Sequence, residues 1–218
     1  WMLVLATWTV AVAARSASMP QAMISRVLGV LGLISVGFAL FIRFFIAAPY
    51  LVSGASMEPT FDNFDYLITD RVTYDFMEPA RGDVVVFCLP GSGECSLLKR
   101  ILNKEWKAPR TLIKRVIGLP GETVSVSGGE VRIVNAENPQ GFVLEEPYLD
   151  PGNIGGPSGT NTTLGDGEYF VMGDNRRVSS DSRVWGTLPK ENILGHVFVR
   201  LFPLTSIGIL PGDADPVN

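Results

Sequence analysis

A mostly β body preceded by one membrane-spanning helix is the fold class this sequence predicts. Three observations point to it. The first is a charge boundary: the chain holds 22 Asp and Glu among 218 residues, yet the first acid is Glu58, and residues 1–57 carry only Arg15, Arg26 and Arg43 as charges. The second is an apolar run over residues 27–42 (VLGVLGLISVGFALFI), broken by nothing more polar than Ser35. The third is a change of pattern after Pro49, to short β-branched and aromatic runs separated by Gly, Pro, Asn and Asp.

The helix comes first. With its flanks the apolar run covers 24–46, roughly the 20 residues that cross hydrocarbon as an α-helix, and Arg43 near its end can snorkel to the interface. Residues 1–23 form an apolar N-terminal segment, short for a span. They are expected to be either part of an earlier span or a start-site artefact, with Met19 a sensible start. In both cases Arg15 and Arg26 lie on the cytoplasmic side, and the positive-inside rule puts the body on the other.

The body follows as strand-like runs at 65–69, 83–87, 123–126, 130–134, 169–172 and 196–201. The segment VSVSGGEVRIV reads as a β-hairpin closed by Gly128-Gly129. Residues 150–167, rich in Gly, Pro and Thr, read as a loop. Residues 97–107 have helix-forming composition. They lie in a basic stretch, 95–115, holding seven Lys and Arg against the single acid Glu105. That stretch suits either anionic lipid or plain solvent. Cys88 and Cys95 flank a Pro-Gly-Ser-Gly turn, which fits either a bridge across the loop or two reduced thiols.

Composition also excludes. A net charge of −4 argues against a general nucleic-acid binder. Two Cys and one His fall short of a structural zinc site. The lone His196 sits inside a strand-like run with no acid beside it, which suits a structural histidine better than a Ser-His catalyst. A Ser or Thr activated by Lys remains. That design needs a lysine whose pKa is brought from about 10.4 towards neutrality by apolar burial. Lys114, between Leu112-Ile113 and Val116-Ile117, could be such a lysine or an ordinary surface one.

Four segments in order resemble the boxes of the type I signal peptidases, the leader peptidase family of membrane-bound Ser/Lys-dyad proteases. Ser56-Met57-Glu58-Pro59-Thr60, just after the apolar run, resembles the nucleophile box. Arg81-Gly82-Asp83 leading into Val84-Val85-Val86-Phe87 resembles the second box. Lys114-Arg115-Val116-Ile117-Gly118-Leu119-Pro120-Gly121-Glu122 resembles the base box. Gly173-Asp174-Asn175-Arg176, continuing through Ser179 to Asp181-Ser182-Arg183, resembles the fourth. The likeness runs from about residue 40 to 203.

The resemblance implies a coiled antiparallel β-sheet catalytic core over 49–118 and 169–210, with a small β-rich insertion at 119–168. It implies Ser56 as nucleophile, Lys114 as general base and Ser179 as the hydroxyl that orients the lysine. It also implies an Asp181–Arg183 ion pair, with Asp174 and Arg115 in support. Tyr50, Val52, Met57, Leu112 and Ile113 match substrate-binding positions, and Phe61 and Phe64 offer apolar surface to lipid or core. The implied partners are preprotein signal peptides and membrane lipid, not nucleic acid, and no metal or organic cofactor is needed. The implied location is the plasma membrane of a bacterium, with the catalytic domain on the extracytoplasmic side. Gly54 departs from members that carry a second oxyanion-stabilising Ser two residues before the nucleophile, and Phe64 replaces a usual Gly. Two rivals are a membrane-tethered, catalytically inactive binding protein and a repressor-type self-cleaving Ser/Lys protease. The apolar front does not suit the second, which wants a DNA-binding front.

Overall fold

The computed structural model describes residues 21–42, 46–93, 95 and 109–212. The apolar stretch 1–20 and the basic, helix-forming stretch 97–107 therefore lie outside the described residues. The chain divides into two compact units at Ala47/Ala48.

The first unit contributes helix α1, Gln21–Phe41, which begins slightly before the expected span. Its 21 residues extend about 30 Å at 1.5 Å each, the thickness of a bilayer core. It is the one helix among the described residues long and apolar enough to cross a membrane. Ser35, its most polar interior residue, donates its hydroxyl back to the Leu31 carbonyl at 2.8 Å, leaving no unpaired donor to face hydrocarbon.

The second unit is β-rich. One sheet runs in the order β1 (Ala47–Leu51), β2 (Tyr66–Asp70), β11 (Ile193–Phe202), β3 (Val84–Cys88), β4 (Thr111–Gly118), β9 (Glu168–Met172) and β10 (Leu188–Pro189), with β12 (Gly208–Ile209) also on β11. Central β3 reads VVVFC and is buried at every residue, as an unbroken apolar run demands when both faces are covered. The second sheet is β7 (Phe142–Val143), β6 (Glu130–Val134), β5 (Thr123–Ser127) and β8 (Thr160–Thr163). Here the alternation is plain: Val124, Val126, Val131 and Ile133 point inward. The β5–β6 turn is Gly128-Gly129, both at positive φ (60° and 90°), the backbone a tight two-residue hairpin requires. Two short helices, α2 (Thr73–Phe76) and α3 (Ser182–Trp185), complete the elements used below.

The two sheets share a core. Ile117, Phe170 and Met172 of the first pack with Val124, Val131 and Ile133 of the second. Gly118 marks the closest approach: a Cβ there would overlap Val124 and stand 2.8 Å from Leu164 Cδ1. Gly118→Ala is expected to cost about 1–3 kcal/mol through overpacking, read as a lowered denaturation midpoint. An unchanged midpoint would show that this seam gives way.

One reading changes here, and two that were open are resolved. The loop expected over 150–167 contains strand β8, because Thr and Asn alternate along it: Thr163 pairs its hydroxyl with Thr123 at 2.9 Å, and Ser125 donates to Asn161 Oδ1 at 2.8 Å. Cys88 and Cys95 form no disulfide; Asn192 Nδ2 donates to the Cys88 carbonyl at 3.1 Å and lies 3.8 Å from Cys95 Sγ. Phe61 is fully buried beneath the Arg200 guanidinium, whereas Phe64 is 64% exposed. Phe64 also takes a left-handed backbone (φ 72°), the conformation that favours the glycine it replaces.

Candidate active site

The first sheet curls until strands that are not neighbours in it meet across a pocket. Tyr50 and Val52, from and just after β1, face Leu112 and Ile113 of β4 across about 150 Å³, with Ser56 and Lys114 in the same wall. These four are sequence-predicted substrate-binding residues. The fifth, Met57, is not among the lining residues. It is fully buried and packs with Phe61 and Leu67, because the turn after Ser56 sends it into the core. Leu67 and Val86 also line the pocket without having been expected there: Val86 lies in the second box, to which no binding role was attached, and Leu67 lies outside all four boxes. A larger cleft of about 690 Å³, lined in part by Arg71, Tyr74, Glu168 and Lys190, contains none of the sequence-predicted site residues.

Ser56 is held by backbone. After β1 the chain stays paired, with Val52 N–H donating to the Asp65 carbonyl (2.9 Å) and Phe64 N–H to the Val52 carbonyl (3.0 Å). Gly54 N–H then donates to Asn63 Oδ1 at 2.9 Å. Phe61 N–H donates to the Met57 carbonyl (2.9 Å), tightening the turn. Asn175 N–H fixes the Ser56 carbonyl from behind at 3.1 Å. The Ser56 N–H itself donates to no group among the described residues.

Lys114 is placed by β4, paired with Val85 of β3, and is only 2% exposed. Its Nζ lies 2.6 Å from Ser56 Oγ and donates to the Ile113 carbonyl at 2.7 Å. Burial brings its pKa down to about 8, while the carboxylates of Asp181 and Asp174 pull the other way. Each of these carboxylates is itself clamped by a buried arginine. Asp181 caps α3 and takes Arg183 through two 2.8 Å contacts. Asp174 takes Arg115 at 2.9 and 2.6 Å, both side chains fully buried.

Arg115 is a junction. Its remaining donors reach the carbonyls of Gly82 (2.9 Å) and Gly212, and the Tyr148 ring lies over it with the guanidinium carbon 3.8 Å from the ring centre. Sequence reasoning paired Asp181 with Arg183 and missed both the Arg115–Asp174 clamp and Tyr148. Partners dozens of residues apart leave no local pattern to read.

Ser179 is buried, but its Oγ has no hydrogen-bond partner among the described residues, and the expected contact with Lys114 is not made. It lies against Gly173, where a Cβ would overlap both Ser179 Oγ and the Ser56 carbonyl, so only glycine lets these segments meet.

The arrangement is a buried amine in hydrogen-bond reach of a hydroxyl, with an unengaged N–H and a pocket at its side. Such a set can perform acyl transfer. The chain matches the family described as signal peptidase, peptidase S26, over residues 25–202. A Synechocystis protein named probable signal peptidase I-1 is 38% identical, over 79% of this chain and 80% of that protein. The signal peptidase I of Leptolyngbya laminosa is 37% identical, covering 81% and 79%. A crystal structure of a signal peptidase I from Enterococcus faecalis is 27% identical, with a TM-score of 0.39, over 56% of this chain and 97% of that one.

Proposed function

This chain belongs to the signal peptidase family, peptidase S26, and on that premise we propose how its residues carry out the reaction. It is a membrane-anchored serine peptidase that removes signal peptides from preproteins. The reading of the site rests on one observation: Lys114 Nζ, buried and with a lowered pKa, stands 2.6 Å from Ser56 Oγ.

In this reading the neutral Lys114 amine takes the Ser56 proton as Oγ attacks the scissile carbonyl. The oxyanion forms against the unengaged Ser56 N–H. Gly54 offers no hydroxyl, so the second arm used by some members is absent. The tetrahedral intermediate collapses, the ammonium returns its proton to the leaving amine, and an acyl ester remains on Ser56. Lys114 then takes a proton from a water that attacks the ester, and the ammonium returns that proton to Ser56 Oγ as the C–O bond breaks and the acid product leaves. The signal peptide enters as an extended strand beside β1 and β4, with small side chains in the 150 Å³ pocket.

The division of the chain is read as a span at 24–46, a catalytic core at 49–118 and 169–210, and an insertion at 119–168. The positions of Arg15 and Arg26 favour a body outside the cytoplasm, beside the lipid of a bacterial plasma membrane. Detergent-solubilised protein incubated with a preprotein should yield one new N-terminus, at the mature sequence. An intact preprotein, or scattered cuts, would overturn the reading.

Ser179 is assigned a positioning role, its unpartnered hydroxyl being close to the Ser56 segment. Ser179→Ala is expected to lower kcat/KM by about tenfold, short of the loss on removing a general base. A variant indistinguishable from wild type would remove Ser179 from the site.

A further inference from the structure

Tyr148 belongs to the insertion and is not a member of any of the four sequence boxes, yet it covers a charge at the centre of the molecule. Its ring lies over Arg115, the residue after the proposed base, with the guanidinium carbon 3.8 Å from its centre. Stacking at that distance on a desolvated guanidinium is a substantial attraction. The ring is fixed at its far end. Tyr148 Oη donates to Glu146 Oε1 at 2.7 Å, and Glu146 forms an ion pair with Arg176. Arg176 Nε donates to the Gly173 carbonyl at 3.0 Å, and the neighbouring Asn175 N–H holds the Ser56 carbonyl. The insertion therefore reaches both the base strand and the back of the nucleophile turn.

We propose that Tyr148 is a positioning residue for Lys114: it seats Arg115, and Arg115 in turn keeps the Asp174 carboxylate engaged. This inference rests on the reading of Lys114 as the base.

The charges around the site give the reason. Lys114 faces two carboxylates, Asp174 and Asp181, and each favours its protonated form. A general base must shed that proton near neutral pH. Arg183 cancels Asp181, and Arg115 cancels Asp174. The groups facing Tyr148 are Glu146, Arg176 and Arg115, and burial followed by Glu146 raises its phenol pKa, so the ring remains a neutral cover. Without the ring, water reaches Arg115 and its grip on Asp174 loosens. The uncancelled carboxylate then holds the proton on Lys114.

The test is the pH dependence of kcat/KM on one preprotein. In Tyr148→Ala the limb that rises with pH should move up by about one unit, an activity loss of about tenfold below the limb. Tyr148→Phe keeps the stacked face and should retain the wild-type limb. Where Tyr148→Ala fails to fold, Tyr148→Leu, which keeps apolar bulk but no π face, should show the same upward shift. A wild-type limb in the folded Ala or Leu variant would overturn the proposal, as would a Phe variant shifted as far as Ala. Ser56→Ala and Lys114→Ala measured alongside keep the two readings apart: if these cleave, the dyad is wrong, and if they are dead while the limb never moves, only the role of Tyr148 is.

Discussion

Lys114→Ala is expected to lower kcat/KM at least about 10³-fold, while Lys99→Ala costs little. The two lysines sit in near-copies of one pattern, Leu97-Leu98-Lys99-Arg100-Ile101-Leu102 and Leu112-Ile113-Lys114-Arg115-Val116-Ile117. Lys114 is 2% exposed and within reach of Ser56, while Lys99 lies outside the described residues, in a run that continues into polar Asn103-Lys104-Glu105. An active Lys114→Ala beside a dead Lys99→Ala would reverse the assignment. The wild-type profile should rise with pH through about 8, where Lys114 sheds its proton. Stability should rise too. Below about 8 the amine is protonated both folded and unfolded, and its burial opposes folding. Between about 8 and the unfolded value near 10.4 the unfolded chain binds the extra proton, so raising the pH favours the fold. Titrating the denaturation midpoint of wild type against Lys114→Ala isolates this contribution.

The second large effect is at Ser56. Ser56→Ala should abolish cleavage, by about 10⁴-fold or more, because only the attacking oxygen is removed. Folding should survive, since the turn is held by backbone through Asn175, Phe64 and Val52 rather than by the hydroxyl. Activity above a few per cent of wild type in a Ser56→Ala protein of unchanged melting behaviour would discard the nucleophile. Loss of activity together with loss of fold would be repeated with Ser56→Cys, which keeps a similar shape. A folded Cys variant that cleaves would agree with attack from this position, since a thiol is also a nucleophile, and a folded Cys variant in which the wild-type rate is lost would show that the oxygen itself is needed.

Ser56 and Lys114 were legible as candidates through the resemblance, because each lies in a short contiguous box; a lysine among aliphatic neighbours, taken alone, left a surface reading open. The apolar helix and the Gly128-Gly129 hairpin were legible because each is a contiguous local pattern. Strand β8 was not, since Thr160–Thr163 carries turn-rich flanks and gains its regularity only from pairing with β5. Met57 was misread because its box gives sequence neighbours, whereas the turn decides which of them face the pocket. The Arg115 contacts were invisible for a stronger reason. Gly82, Tyr148, Asp174 and Gly212 come from four distant segments, and only the curl of the sheet brings them to one guanidinium.

That gathering also sets an order of events during synthesis. The carbonyl of Gly212, 97 positions downstream, is one of the acceptors around Arg115, so the support of the strand bearing the lysine is complete only once residue 212 has been made. Contacts of such long sequence separation form late and slowly in folding. A ribosome-bound nascent chain thus carries the hydroxyl and the amine long before it carries their complete support. The support of the dyad is therefore completed long after helix Gln21–Phe41 has been made.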